Sequence, residues 1–141
     1  MANVIIAIAT LIIGFTLALY GTYTNVEAGR RTQYAASVNS TLEREAKYIQ
    51  DVAQDLGRMP LSGDYDSVGV FGRDSNSKFD FSYTAQAEGY FVCARTSDTG
   101  QTMRDALQIV SRDRPGSFVS GACGVSATPI STYAAVSMKV N

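Results

Sequence analysis

The chain has 141 residues, of which 45% are hydrophobic and 18% charged, with a formal net charge of -1. That balance gives no electrostatic reason to expect nucleic acid or an anionic membrane surface as a partner. Histidine is absent, which removes the usual general base, the commonest metal ligand and every Ser-His or Cys-His nucleophile arrangement; the chain is read as non-enzymatic and without a cofactor.

Residues 1–26 contain no Asp, Glu, Lys or Arg, and the first charged side chain is Glu27. At about 1.5 Å rise per residue, the densest apolar part, residues 4–23, makes a helix of roughly 30 Å, the hydrocarbon thickness of a bilayer. Met1, Ala2 and Asn3 carry no basic side chain, so the layout of a secretory signal is missing and cleavage after this run is not expected. Arg30 and Arg31 follow the run, and the positive-inside rule then places the remainder in the cytoplasm. A disulfide, considered below, argues for an oxidising compartment instead. The conflict disappears if Met1 is a mature N terminus from which a basic leader has been removed.

The apolar run passes directly into an amphipathic pattern over residues 27–57. Tyr34, Val38, Leu42, Ile49, Val52 and Leu56 recur at three, four or seven positions, along one side of a helix. Arg31, Asn39, Glu43, Arg44, Lys47, Gln50, Asp51, Gln54 and Asp55 occupy the other side. Glu27 with Arg31, and Glu43 with Lys47, have the i, i+4 spacing that supports helix by a few tenths of a kcal/mol each. Gly57 suits the left-handed C-terminal cap and Pro60 prevents continuation. One helix of about 55 residues is expected, with Gly14, Gly21 and Gly29 as places where it bends or loosens. Its Tyr34-to-Leu56 stripe is read as the face laid against a sheet.

Residues 61–77 are rich in Gly, Ser and Asp and read as a long loop, with a short strand at most near Val68 to Phe71. Phe79, Phe81 and Tyr83 then alternate with Asp80, Ser82 and Thr84, and a turn at Glu88-Gly89 leads into a second strand through Cys93 and Arg95, which is an antiparallel hairpin pattern. Met103, Ala106, Leu107 and Val110 have helical spacing, although residues 106–111 also fit a strand. A turn at Arg114-Pro115-Gly116, a short strand over residues 117–120 and a final strand over residues 132–140 complete the chain. In that last strand Ala134, Val136, Met138 and Val140 share one face. The expected fold class is α+β: the long N-terminal helix packed on a three- to four-stranded antiparallel sheet. Its organisation is a hydrophobic half-helix, residues 1–26, and a globular domain, residues 27–141.

Cys93 and Cys123, the only cysteines, lie 30 positions apart without a CxxC pair, so zinc-ribbon and thioredoxin-type readings lack support. One disulfide is the natural pairing, with two buried thiols as the alternative. The bond closes a loop of about 30 residues, stabilises by about 3 to 4 kcal/mol and belongs to an oxidising compartment. It is expected to pin the excursion over residues 94–122, with Arg112, Asp113 and Arg114, onto the sheet as a surface contact site or an inert loop. Ser75 to Lys78 match S-x-x-K without the companion motifs of serine acyl-enzymes, and Asn39-Ser40-Thr41 is an N-x-T sequon placed on the helix.

This arrangement of a charge-free half-helix, an amphipathic continuation ending near residue 57, a long loop, an antiparallel sheet and a cysteine-bounded C-terminal region resembles type IV pilins and pseudopilins. The resemblance covers the whole chain. It implies a leader removed by a dedicated peptidase, a mature N terminus at Met1 that is often methylated, and a filament core packed from Val4, Ile5, Ile8, Leu11, Ile12, Phe15 and Leu19. Gly14 matches a glycine common in such pilins, and Gly21 lies near where the helix often loosens in filaments. Partners then are other copies of the chain in a helical homopolymer, the inner membrane as the unassembled pool and the pilus assembly machinery, with the finished pilus extracellular. One departure stands out: the family's glutamate at mature position five is Ile5 here. Either the register is shifted, or assembly proceeds without that acid, or the chain is a minor or archaeal-like subunit. The expected function is major pilin; a minor pilin or pseudopilin for priming, secretion or tip binding is the alternative, and a single-pass membrane-anchored binding domain is a third.

Overall fold

The computed structural model describes residues 2–61 and 78–140, with the side chains of residues 2–5 and 7 excepted. Helix α1 (Ala2–Leu56) runs unbroken for 55 residues, about 80 Å at 1.5 Å per residue. Gly57 ends it at φ +66°, and its N–H donates to the Gln54 carbonyl at 3.3 Å, a left-handed cap of the kind glycine adopts without steric cost. After the described residues resume come β1 (Asp80–Gln86), β2 (Gly89–Thr96), α2 (Gln101–Arg112), β3 (Phe118–Ser120) and β4 (Ala134–Val140). The strand expected near Val68 to Phe71 lies outside the described residues.

The four strands form one antiparallel sheet in the order β1-β2-β4-β3. Gln86 pairs with Gly89 across a two-residue loop, Ala87 and Glu88. Gly89 has φ +135°, and a Cβ there would come within 2.7 Å of Lys139 Cε on the neighbouring strand. The chain is α+β, with helices on one face of the sheet.

That face carries the core. Val92 and Ala94 of β2 with Ala134, Val136, Met138 and Val140 of β4 meet Ala35, Val38, Leu42 and Ile49 of α1 and Met103, Ala106, Leu107 and Val110 of α2. The alternative strand over residues 106–111 is excluded, because α2 buries the four residues its helical spacing selects. Leu56, placed on the stripe by spacing, is 44% exposed: the helix outruns the sheet by its last turn.

Strand β4 does not alternate as a one-sided strand should. Ala135 and Ser137 are as buried as their neighbours, because the segment over residues 121–133 covers the opposite face as a strap at Cys123, Gly124 and Tyr133, although its Ile130 packs against the helical-side core. Cys123 is bonded to Cys93, the Gly124 N–H donates to Ser137 Oγ at 2.9 Å, and the Arg95 guanidinium stacks 4.6 Å from the Tyr133 ring centroid. The disulfide thus secures the strap beyond Cys123. Arg112 to Arg114, expected to be pinned as a surface loop, end α2 on the helical side of the sheet instead.

The two helices run parallel, as three contacts establish in chain order. Thr102 Oγ1 donates to Glu27 Oε2 at 2.5 Å, Arg31 Nη1 donates to Asp105 Oδ2 at 2.8 Å, and Arg114 Nε donates to Asn39 Oδ1 at 2.7 Å while its Nη2 pairs with Glu43. Neither expected i, i+4 pair forms: Arg31 and Glu43 are both drawn to α2 and its C-terminal turn, and Glu27, besides accepting from Thr102, pairs with Arg30 at 3.6 Å.

Candidate functional site

The globular part leaves the first half of α1 uncovered. Ile6, Ile8, Leu11, Ile12, Ile13, Phe15, Leu17 and Leu19 are between 53% and 74% exposed, and at 100° per residue they surround the helix rather than line one side. Burying such side chains is worth about 1.5 to 3 kcal/mol each, so this rod withholds on the order of 10 to 20 kcal/mol while it stands in water. A surface of that kind marks an interaction with apolar matter. By length and composition, α1 is able to cross a membrane.

Its threonine hydroxyls are satisfied within the helix, as those of Thr32 and Ser40 are further along. All four threonines of the run turn their hydroxyls back to the helix: Thr10 donates to the Ile6 carbonyl, Thr16 to Ile12, Thr22 to Ala18 and Leu19, and Thr24 to Gly21, at distances from 2.5 to 3.1 Å. No partner outside the helix is needed. An unpaired hydroxyl in hydrocarbon costs several kcal/mol, and back-bonding to i−3 or i−4 removes that cost. Tyr20 and Tyr23, at the charged end of the run, are 70% and 65% exposed, where amphipathic rings suit a membrane interface.

Of the residues the sequence assigns to filament packing, Ile8, Leu11, Ile12, Phe15 and Leu19 are all exposed on this rod. The side chains of Val4 and Ile5, and Met1 altogether, lie outside what is described. Gly14 and Gly21 sit in unbroken helix, and a Cβ at either would meet nothing within 4 Å. Among the described residues, then, no contact requires glycine at either position. No protein-family model, curated protein or solved structure matches the chain.

Two other features of the sequence are relocated. Asn39, the first residue of the sequon, accepts the 2.7 Å bond from Arg114 on the α2 side of α1, so its amide is engaged in joining the helices. The segment matching S-x-x-K lies outside the described residues except for Lys78, whose ammonium sits 5.5 Å from the Tyr34 ring centroid. Among the described residues, no cluster of three or more carboxylates and cysteines converges to hold a metal ion.

Sequence spacing missed Glu45. It is 1% exposed, its Oε1 accepts from Arg44 Nε and Nη2 at 3.1 and 3.0 Å, and its Oε2 has no hydrogen-bond partner. The signal was present: the seven-residue interval between Leu42 and Ile49 has Glu45 at the position an apolar residue would fill.

Proposed function

We propose that this chain is the repeating structural subunit of an extracellular type IV-like pilus. In this reading the apolar half of α1 holds the subunit in the inner membrane until assembly machinery transfers it to the filament. There it exchanges lipid contacts for contacts with the same segment of other copies. The observation that carries the proposal is the bare rod, apolar on all sides and continuous with a helix whose second half is built into a disulfide-bonded domain. Its back-bonded threonines make the rod equally compatible with lipid and with a dry protein bundle. The domain serves as the solvent-facing coat, with self-association as its function rather than catalysis.

The test is an unpaired charge on the rod. Ile8→Asp or Ile12→Lys places a charge in an apolar bundle at a cost of several kcal/mol. Electron microscopy of material sheared from cells is expected to show abundant filaments made of the unaltered chain and none from either variant. Filaments of normal number and length from both variants would overturn the reading. Quantitative mass spectrometry of the sheared fraction separates the roles: a dominant species is the major subunit, and a trace species primes assembly or caps the tip.

A further inference from the structure

Beyond the rod, the domain carries two exposed sets of opposite charge at different heights along α1. The lower lies in an open groove of about 480 Å³ between α1 and α2, lined by Arg31, Thr32, Asp105, Gln108 and Arg112 among others. Arg31 is balanced there by Asp105. Arg112 is exposed and has no ion-pair partner among the described residues, so the groove carries an uncompensated positive charge. The upper set is Asp51 and Asp55, exposed one turn apart on α1 and likewise without ion pairs among the described residues. Lys47, exposed one turn before Asp51, leaves this face net negative by one charge, and Arg58, the next cation along the chain, directs Nη1 to the Met59 carbonyl at 3.2 Å.

We infer that the Asp51–Asp55 face of one copy docks against the Arg112 side of the α1–α2 groove of the copy above it. The occupant is a second copy because each chain presents both halves of the contact, displaced along one straight helix. Such a heterologous surface repeats without closing and generates a filament. Arg112 lies seven residues beyond Asp105 on the parallel α2, so its backbone stands near the height of residue 38 of α1. From there to Asp51 is about 13 residues of continuous helix, an axial offset between the contacting copies of about 20 Å. Charges at this height restrict which staggers are allowed. Complementary charge suppresses wrong registers by bringing like charges together in them. This inference rests on the filament reading above.

The experiment uses the full-length chain in cells, with filament yield measured by shearing and microscopy. Asp51→Arg with Asp55→Arg in one chain, and Arg112→Glu in another, are each expected to lower yield about tenfold or more. Combining all three substitutions in a single chain restores it, because the contact is then formed with its polarity exchanged. The neutral pair Asp51→Asn and Asp55→Asn lowers yield less and makes filaments less sensitive to salt. Thermal melts and an intact disulfide on non-reducing gels verify that each variant folds. Yield unchanged by the reversals, or a triply substituted chain that folds normally but is not restored, overturns this contact while leaving the filament reading in place. Absence of filaments from the unaltered chain overturns both.

Discussion

Arg31 reaches 2.8 Å across to Asp105 on α2, although Glu27 stands one turn away on its own helix. Local spacing favoured the pair within α1, worth only a few tenths of a kcal/mol. The tertiary pair prevails because it forms where the two parallel helices meet, with the Glu27 carboxylate already accepting from Thr102. The side chains remain 38% and 22% exposed, so solvent screening holds the coupling to about 0.2 to 1 kcal/mol. A double-mutant cycle with Arg31→Ala and Asp105→Ala, read by denaturant unfolding of the detergent-solubilised chain, is expected to return a coupling in that range. Zero coupling would show that the pair only decorates helices already held by their apolar faces.

Glu45 predicts an unequal response to two neighbouring substitutions. Its position falls within the stripe of Val38, Leu42 and Ile49, yet one carboxylate oxygen has no partner. Replacing it with Leu removes a buried polar group, and stability is expected to stay level or rise, by up to about 4 kcal/mol. Arg44→Ala takes away the partner of the other oxygen and is expected to cost about 1 to 3 kcal/mol. Chemical denaturation of both variants checks the order. A strongly destabilised Glu45→Leu would mean that the carboxylate makes a needed interaction.

Glu45 also shows why periodicity identifies an element more readily than its contents. The helix, its cap at Gly57 and the inward residues of α2 were legible because each follows from spacing or backbone chemistry within a few positions. An antiparallel sheet of three to four strands was legible for the same reason, and four strands form. The strap over the second face was not. Nothing in the alternation of β4 announces that Ser137 will be buried; that depends on Cys123 and Gly124 arriving from a segment with no period of its own. The disulfide pairing was legible from cysteine count, but the face it covers required the fold. On the rod, exposure of Ile8 through Leu19 was readable because no sequence pattern offered them a partner in the chain.

The strap supplies a further prediction. Ser82 Oγ lies 3.7 Å from Cys123 Sγ as a donor, and Ser137 Oγ lies 3.5 Å from Cys93 Sγ, so the bond is set among polar groups on the outer face. Cys93→Ala with Cys123→Ala opens a loop whose ends are 30 residues apart and is expected to cost about 3 to 4 kcal/mol. Released residues 121–133 should then exchange their amide hydrogens faster, while α1 and the facing strands β2 and β4 keep most of their protection. Uniformly faster exchange across the whole domain would show that the strap is required for the core itself.

Two glycines distinguish a backbone requirement inside the domain from one between copies. Gly124 has φ +72°, and a Cβ there would lie 2.8 Å from Gln86 Cγ and 3.2 Å from Phe91 Cδ2. Gly124→Ala therefore combines a left-handed backbone with overpacking, and a loss of about 1 to 3 kcal/mol is expected in thermal unfolding. Gly14 has open space around it and lies in regular helix. Gly14→Ala should raise helix stability by up to about 1 kcal/mol in the isolated subunit. If rods pack closely at Gly14 in the filament, the added methyl group lowers filament yield even as it stabilises the monomer. Opposite signs in those two measurements would place the need for glycine between copies, whereas a yield that rises with monomer stability would remove Gly14 from the interface.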